Sequence, residues 1–442
     1  MSIKKIIEYI GAGLLLLIIS CGGGESSPQS PSSQTNPTRM LFSDALTKIT
    51  DFSFSSCLEK SWATYADEVE SIICSSSGIA HVQGIENFTS LKFLYLNDNS
   101  IERIDLSQNA ELRIINLSHN LLSELDLSDS PMLTKLIIDS NPLLTDLNLS
   151  QNTELTILSS KSNDSLAELD LGNNTKLTEI FFYGSKLKSF DLSNNAALTR
   201  LDGGAFDVLD LSHNTNLEFL RIGIYGQPIL DLSNNTELVE ISISGNGSLN
   251  TVILSNLTKL VKAGINLTNY GTNYIDLSDN IELKELHMFH SNLTELDVTN
   301  NTKLEIIYLF QNALTSLDVS NNTELRVLNL DSNNLTSLDV SNNTKLEELY
   351  VKHSELTSLD VSKNTELKTL VLNANPLESF DVSNNSKLVH LNLFSCRLRT
   401  IPAGLTNISW LDAYIGLGSN YFDESTKEEL RILKQTYPNL WY

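Results

Sequence analysis

The ten residues LTSLDVSNNT stand at 314–323 and again at 335–344, and LTSLDVSKNT follows at 356–365, each copy 21 residues after the last. Aligning them extends one frame of apolar and polar positions along most of the chain. Leu91, Leu94, Leu96, Asn99 and Ile101 spell LxxLxLxxNxL. The same frame opens at Leu112, Leu133, Leu155, Leu177, Leu198, Leu217, Leu238, near 257–260, and at Leu283, Leu304, Leu325, Leu346, Leu367 and Leu388. A weaker copy begins at Val69 with Ile72 and Cys74, giving 16 units, and IGLGSNYF at 415–422 is a degenerate seventeenth. A period of this length predicts a solenoid, in which no coil buries its apolar side alone. In LxL the two leucines point inward and the residue between them outward, so each coil contributes one short parallel strand. The second half of the unit, LxxLDVSxN, repeats that shape. It predicts extended backbone on the other side of each coil and few helices except at the ends.

Two polar columns run through the frame. At the ninth position Asn99, Asn120, Asn141, Asn163, Asn246, Asn312, Asn333 and Asn375 are placed to bond the backbone of neighbouring coils, with Ser185, Ser291, Ser354 and Cys396 as substitutes. In the second half an aspartate recurs between inward residues, and so faces solvent, at Asp105, Asp126, Asp170, Asp191, Asp210, Asp231, Asp276, Asp297, Asp318, Asp339, Asp360 and Asp381. Carboxylates stacked about 4.8 Å apart repel by roughly 1 kcal/mol even in water. Two residues on, nearly always Ser or Thr (Ser107, Ser128, Ser193, Ser320, Ser341), a hydroxyl is available as donor. This predicts a structural Asp–Ser ladder rather than a row of Ca²⁺ sites, because one aspartate per coil lacks the several oxygens calcium needs.

The frame resembles the leucine-rich repeat family, and specifically its bacterial 21-residue class, over about 350 residues. The resemblance implies a leucine-rich repeat solenoid with a parallel β-sheet on the concave face, extended and turn segments on the convex face, and short helical caps at both ends. The front of the repeats supports it. ITDFSFSSCLEK followed by VESIICSSSGIAHVQGIENFTSL resembles the N-terminal cap of internalin-like bacterial surface proteins, in which a cap helix precedes an imperfect first coil and a GIE turn. At the back, ESTKEELRILKQTYP reads as a cap helix with a capping box of Ser425 and Glu428 and a stripe of Leu430, Leu433 and Tyr437. The expected organisation is a signal peptide over 1–20, a disordered tether over 21–40, an N-terminal cap over 41–68, the solenoid over 69–422 and the C-terminal cap helix over 423–442.

Charge and cysteines refine the picture. With 54 Asp and Glu against 30 Lys and Arg, a formal −24, binding through phosphate contacts is disfavoured and nucleic acid is set aside. Lys4 and Lys5 precede a short apolar run that ends in IISCGG, which resembles a bacterial lipobox. That resemblance implies acylation of Cys21 (palmitate among the acyl chains), a membrane anchor, and an outer-membrane location with possible display at the cell surface. The tether that follows is too poor in apolar residues to fold. Cys57 lies in the cap over the first coil and Cys74 points into that coil, so an exported chain is expected to join them in a disulfide. Cys396 takes a ladder position and a structural role.

The third, fifth, seventh and eighth positions of each unit face out from the concave sheet. In the C-terminal half they are rich in rings: His287, Phe289, His290, Tyr308, Phe310, Tyr350, His353, His390 and Phe394, beside Glu285, Ile306, Glu348 and Lys352. Amphipathic rings on a rigid sheet suit a protein-binding centre, so these are the candidate binding residues. Phe93 with Tyr95, and Phe181 with Tyr183, form a sparser second group. GxSxG, HExxH, Walker and GxGxxG patterns are missing from the sequence, and no catalytic residues, metal ligands or cofactor are expected. The reading is a monomeric, non-enzymatic envelope protein that binds a protein partner, with a glycan-binding adhesin or a passive envelope component as alternatives. Units of irregular length between 200 and 275 predict a change of curvature there.

Overall fold

In the computed structural model of the chain, residues 39–59, 63–268, 275–408, 413–436 and 438–442 are described. The expected signal peptide, Cys21, the expected tether as far as residue 38, residues 269–274 and Tyr437 lie outside that set. Eighteen strands form one parallel sheet. Seventeen belong to successive coils, numbered here from coil 1 (Ser71–Ile73) to coil 17 (Tyr414–Gly416), and Leu440–Trp441 closes the end. Pairing is in register from coil to coil: Phe93 lies beside Ile114, Ile306 beside Val327, Thr369 beside His390. The central residue of each short strand is buried and its two neighbours are partly exposed, as the LxL alternation requires. The interior is a continuous stack of leucines, among them Leu286, Leu328 and Leu349, with no accessible surface.

Two asparagine ladders hold the coils together. At the ninth position Asn333 is representative: its Nδ2 donates to the carbonyls of Leu309 and Leu330, both at 2.9 Å, and its Oδ1 accepts the Leu314 N–H at 3.1 Å. The backbone makes room by turning left-handed at the residue just before, as at His119, Ser332 and Ala374. Where Ser291 substitutes, its hydroxyl donates to the Ile265 carbonyl. Cys396 does likewise toward Leu372 at 3.2 Å, and burial pushes its thiol pKa up to about 11. Ser354 is buried with its hydroxyl unpartnered among the described residues. Two expected members stand outside the ladder. Ser185 is only partly buried, and Asn246 is exposed, its Oδ1 accepting the nearby Ser248 N–H, because the strand of coil 9 (Glu240–Gly245) runs past the point where the asparagine turn would begin.

The second ladder lies on the return side of the coils. Asn322 donates to the carbonyls of Val298 and Asn301, Asn343 to those of Val319 and Asn322, and Asn364 to those of Val340 and Asn343. These asparagines are fully buried. The aspartates before them do not form a coil-to-coil ladder. All twelve accept the backbone N–H two residues on, at 2.8–3.0 Å, within their own coil. The serine hydroxyls assist but are dispensable, since Gly172 serves Asp170 in the same way.

At the front, helix α1 (Phe42–Leu46) and helix α2 (Phe52–Leu58) cover coil 1. Asp51 caps α2 through the Phe54 N–H and reaches the Ala80 and His81 N–H groups at 2.8 and 2.9 Å, tying cap to coil. Cys57 and Cys74 are joined, with Cα atoms 5.9 Å apart. Gly84 of the GIE turn has φ +102°, and a Cβ there would stand 2.7 Å from Ile49. At the back, helix α3 (Glu424–Thr436) buries Leu430. Its cap is Asp423, which accepts the Thr426 N–H and the Ser425 hydroxyl at 2.8 Å each, so Ser425 is the capping residue's partner and not the cap.

Candidate binding face

Neighbouring strands bring equivalent positions side by side, so the sheet face is a set of straight rows. In the fifth-position row His287 lies beside Tyr308, their rings 5.0 Å apart. Lys262 reaches Glu285 at 2.9 Å, and Glu285 stands 3.6 Å from His287 Nε2. Burial and the Lys262 ammonium hold the His287 pKa below its ordinary value, with Glu285 opposing. In the seventh-position row Phe289 and Phe310 stack face to face at 4.7 Å, and His290 meets both edge-on at about 6 Å. Tyr350 is two coils beyond Tyr308, with Asn329 between them. Its hydroxyl donates to Glu348 at 2.9 Å, and burial together with that carboxylate pushes its pKa up to about 12.

The remaining candidates do not join this group. His390 stacks at 4.9 Å on Tyr414, a residue of the degenerate coil 17 that the repeat frame left unaligned. Phe394 is 47% exposed beside Gly418, where a Cβ would come within 2.9 Å of its ring. His353 and His290 have left-handed backbones (φ 51° and 55°) and occupy the turn after the strand, not the strand itself. Eighth-position residues therefore edge the face. Nine sequence candidates resolve into one compact group, His287 through Phe310, with Tyr350 near it and the others spread toward the C-terminal end.

A second cluster lies in coils 5 to 8, and only Phe181 and Tyr183 of it were singled out from sequence. The Arg200 guanidinium sits 3.6 Å above the Phe219 ring and 5.5 Å from Phe181. Arg221 lies 5.4 Å from the same Phe219 ring, and Lys161 4.9 Å from Phe181. Asp202, almost wholly buried, contacts Arg200 at 3.3 Å and Arg221 at 3.7 Å and accepts the Tyr183 hydroxyl. Arg200 follows Glu179 in the third-position row and Phe219 follows Arg200. Arg200 and Phe219 are both third residues of their units, at Leu198 and Leu217, although the unit that joins them is only 19 residues long. On the return side, surface grooves run between coils and are lined by aspartates such as Asp276 with Asp297 and Asp146 with Asp170. Among the described residues no three His, Cys, Asp or Glu side chains converge as a metal site.

This geometry has solved counterparts. A leucine-rich repeat protein of Leptospira interrogans superposes with a TM-score of 0.65 at 18% identity, over 87% of this chain and 97% of that one. The fold is that of the leucine-rich repeat proteins. The functional domain of InlJ from Listeria monocytogenes, described as including a cysteine ladder, matches at TM-score 0.57 and 26% identity, over 86% of this chain and 81% of its own. The Arabidopsis receptor kinase HAESA, solved with the peptide hormone IDA and the co-receptor SERK1, matches at TM-score 0.58 and 21% identity, over 86% and 73%. No protein-family model and no curated protein sequence matches the chain. The ninth-position ladder here is built of asparagines, with Ser291 and Cys396 substituting.

Proposed function

We propose that the chain is a non-enzymatic leucine-rich repeat protein that binds a protein partner through its concave sheet face, centred on coils 11 to 14. One observation carries the reading: His287 with Tyr308, and Phe289 with Phe310, form two adjoining ring pairs on a rigid parallel sheet, half-exposed and pointing away from the core. Aromatic anchors of this kind dominate protein interfaces. The solved neighbours include a receptor bound to a peptide hormone and a co-receptor, which supports protein recognition as the use of such a face. The IISCGG segment supports anchoring through a lipid on Cys21, in the outer membrane, with a tether that lets a monomeric solenoid stand off the bilayer.

The test places a photo-crosslinking residue at Phe310 and, as control, at Ser337 on the return side. A protein captured from the first position and not the second is then titrated against Tyr308→Ala and Tyr350→Ala. Each variant is expected to weaken binding by about 1–2 kcal/mol, while Tm stays within a degree or two of the parent. Binding also weakens below about pH 6, because His287 is held neutral where it stands. Normal binding by both variants, or a hit on a glycan array with no protein captured, overturns the reading. Protease shaving of intact cells tests surface display separately.

A further inference from the structure

We propose that Arg200 and Arg221 form a subsite for an acidic side chain of the bound polypeptide, separate from the aromatic anchors of coils 11 and 12. This rests on the reading that the sheet face is the binding face. The two guanidiniums share one carboxylate, Asp202, which also accepts the Tyr183 hydroxyl. Other ion pairs on the sheet face set one cation against one carboxylate, as Lys161 with Asp139 and Lys352 with Asp331, and Glu285 is shared only by Lys262 and the imidazole of His287. Glu240 acts on Arg221 only through space, and among the described residues Glu179 makes no ion pair with either arginine. Arg200 is pinned between the Phe219 and Phe181 rings, so its charge is fixed in place without the entropy cost of ordering a free side chain. Arg221 is about half-exposed, beside Asp202, the Tyr183 hydroxyl and the Phe219 ring. Planar guanidiniums favour carboxylate partners held by two hydrogen bonds. The acidity of the chain does not oppose this, since its recurrent aspartates lie on the far side of the leucine core and charges beyond about 8 Å are screened at physiological salt.

The floor between the two clusters sets the ligand's form. From Arg221 the fifth-position row runs through Ser242 and Gly264 to His287. These small residues let a backbone lie close. Three strand steps of about 4.8 Å span roughly 14 Å, the reach of about four extended residues. The favoured ligand is an extended segment with an acidic side chain about four residues from an aromatic one.

The probe is an array of 12-residue peptides, each with one Tyr and one Glu separated by one to eight residues, and each matched by a Gln version. Binding is expected to peak near a separation of four, with Glu preferred over Gln by about tenfold, a difference that shrinks between 50 mM and 500 mM salt. Arg221→Gln abolishes the preference while leaving the Gln peptides bound as before, and Tyr308→Ala weakens both sets. Should Arg221→Gln lower Tm, the salt titration of the parent protein still decides. Binding that depends on Tyr308 but ignores Glu against Gln overturns this inference alone. Failure of every peptide to bind overturns it together with the reading beneath it.

Discussion

Coils 11 to 16 and coils 7 to 10 solve one problem in two ways. Every coil must satisfy the backbone groups that its neighbours leave exposed at the end of a strand. In coils 11 to 16 the strands are three residues long and a left-handed residue then turns the chain, at His290, Gln311, Ser332, His353, Ala374 and Ser395. The next residue, asparagine in three of the six coils and Ser291 or Cys396 in two others, bonds the adjacent coil, while the Ser354 hydroxyl does not. In coils 7 to 10 the strands are six or seven residues long, as in Arg200–Phe206 and Lys262–Leu267, and the ladder continues in main-chain hydrogen bonds. The reason is local. Ile224 and Leu267 stand where the left-handed residue would be, and apolar side chains are poorly suited to that conformation. At the ladder position of coil 7 the residue is Phe206, packed at 6.2 Å on Phe190. Side-chain amides hold one region and extended backbone with aromatic fill holds the other.

Substitutions at one ladder position therefore separate the two regions. Phe206→Ala opens a cavity in the middle and is expected to cost about 3–5 kcal/mol. Asn333→Ala leaves two carbonyls and one N–H without their partner and should cost about 2–4 kcal/mol. Asn246→Ala, nominally the same position, should change stability by less than about 0.5 kcal/mol because its side chain is exposed. Urea midpoints for the three variants check the order. A large loss at Asn246 would show that coil 9 keeps an asparagine ladder after all.

The comparison also explains what the sequence revealed. Where units repeat at 21 residues, row arithmetic placed His287 beside Tyr308 and Phe289 beside Phe310. The frame also aligns Arg200 with Phe219, the third residues of the units at Leu198 and Leu217, but a single arginine beside a single ring carries no sequence signal that the two stack. Tyr414 was missed because coil 17 has lost most of its leucines. The return-side asparagines were visible as the second Asn of each NNT. A turn tolerates asparagine for reasons unrelated to burial, so the residue type alone does not mark a ladder. The aspartate row and its Ser or Thr partner two residues on are both present, but the bonds stay within one coil and the backbone N–H contributes beside the hydroxyl.

That turn gives the next prediction. Asp318, Asp339 and Asp360 are held below the ordinary carboxylate range by the N–H and hydroxyl of the serine two residues on, while neighbouring aspartates push the other way at Asp339. A carboxylate whose pKa is lowered by folding stabilises the fold above its unfolded value, near 3.9, and loses that contribution as pH falls through the folded one. Stability should therefore decline from about pH 4 downward. Asn148 already accepts the Ser150 N–H at 3.0 Å in the aspartate's place, so asparagine is compatible with the turn. The triple variant Asp318→Asn, Asp339→Asn, Asp360→Asn should lose that charge-linked contribution at pH 7, converge with the parent in acid and so show a flatter decline. Denaturation at pH 7 and pH 3.5 decides, and an unchanged acid slope would move the cause elsewhere.

The smallest expected effect lies on the flank, where glutamate and lysine alternate just before the first leucine of each unit. Lys303 pairs with Glu282, Lys345 with Glu324 and Lys387 with Glu366, each about half-exposed. In coils 7 and 8 the row is interrupted by Ala197 and Asn216, at the point where the long strands begin. Exposed pairs contribute about 0–1 kcal/mol each, so Lys345→Ala should shift stability by only a few tenths. Lys345→Glu is more informative, since it sets three glutamates (Glu324, the new residue and Glu366) in adjacent coils. Like charges directly opposed on neighbouring strands destabilise by up to about 1 kcal/mol. Screening shortens to about 3 Å at 1 M salt, so the difference between the two variants should nearly vanish there. The matched experiment is Asn216→Glu, which places a charge where the row is already broken and should cost less at low salt than Lys345→Glu. Equal costs at both sites would mean that the alternating row contributes nothing beyond the general acidity of the chain.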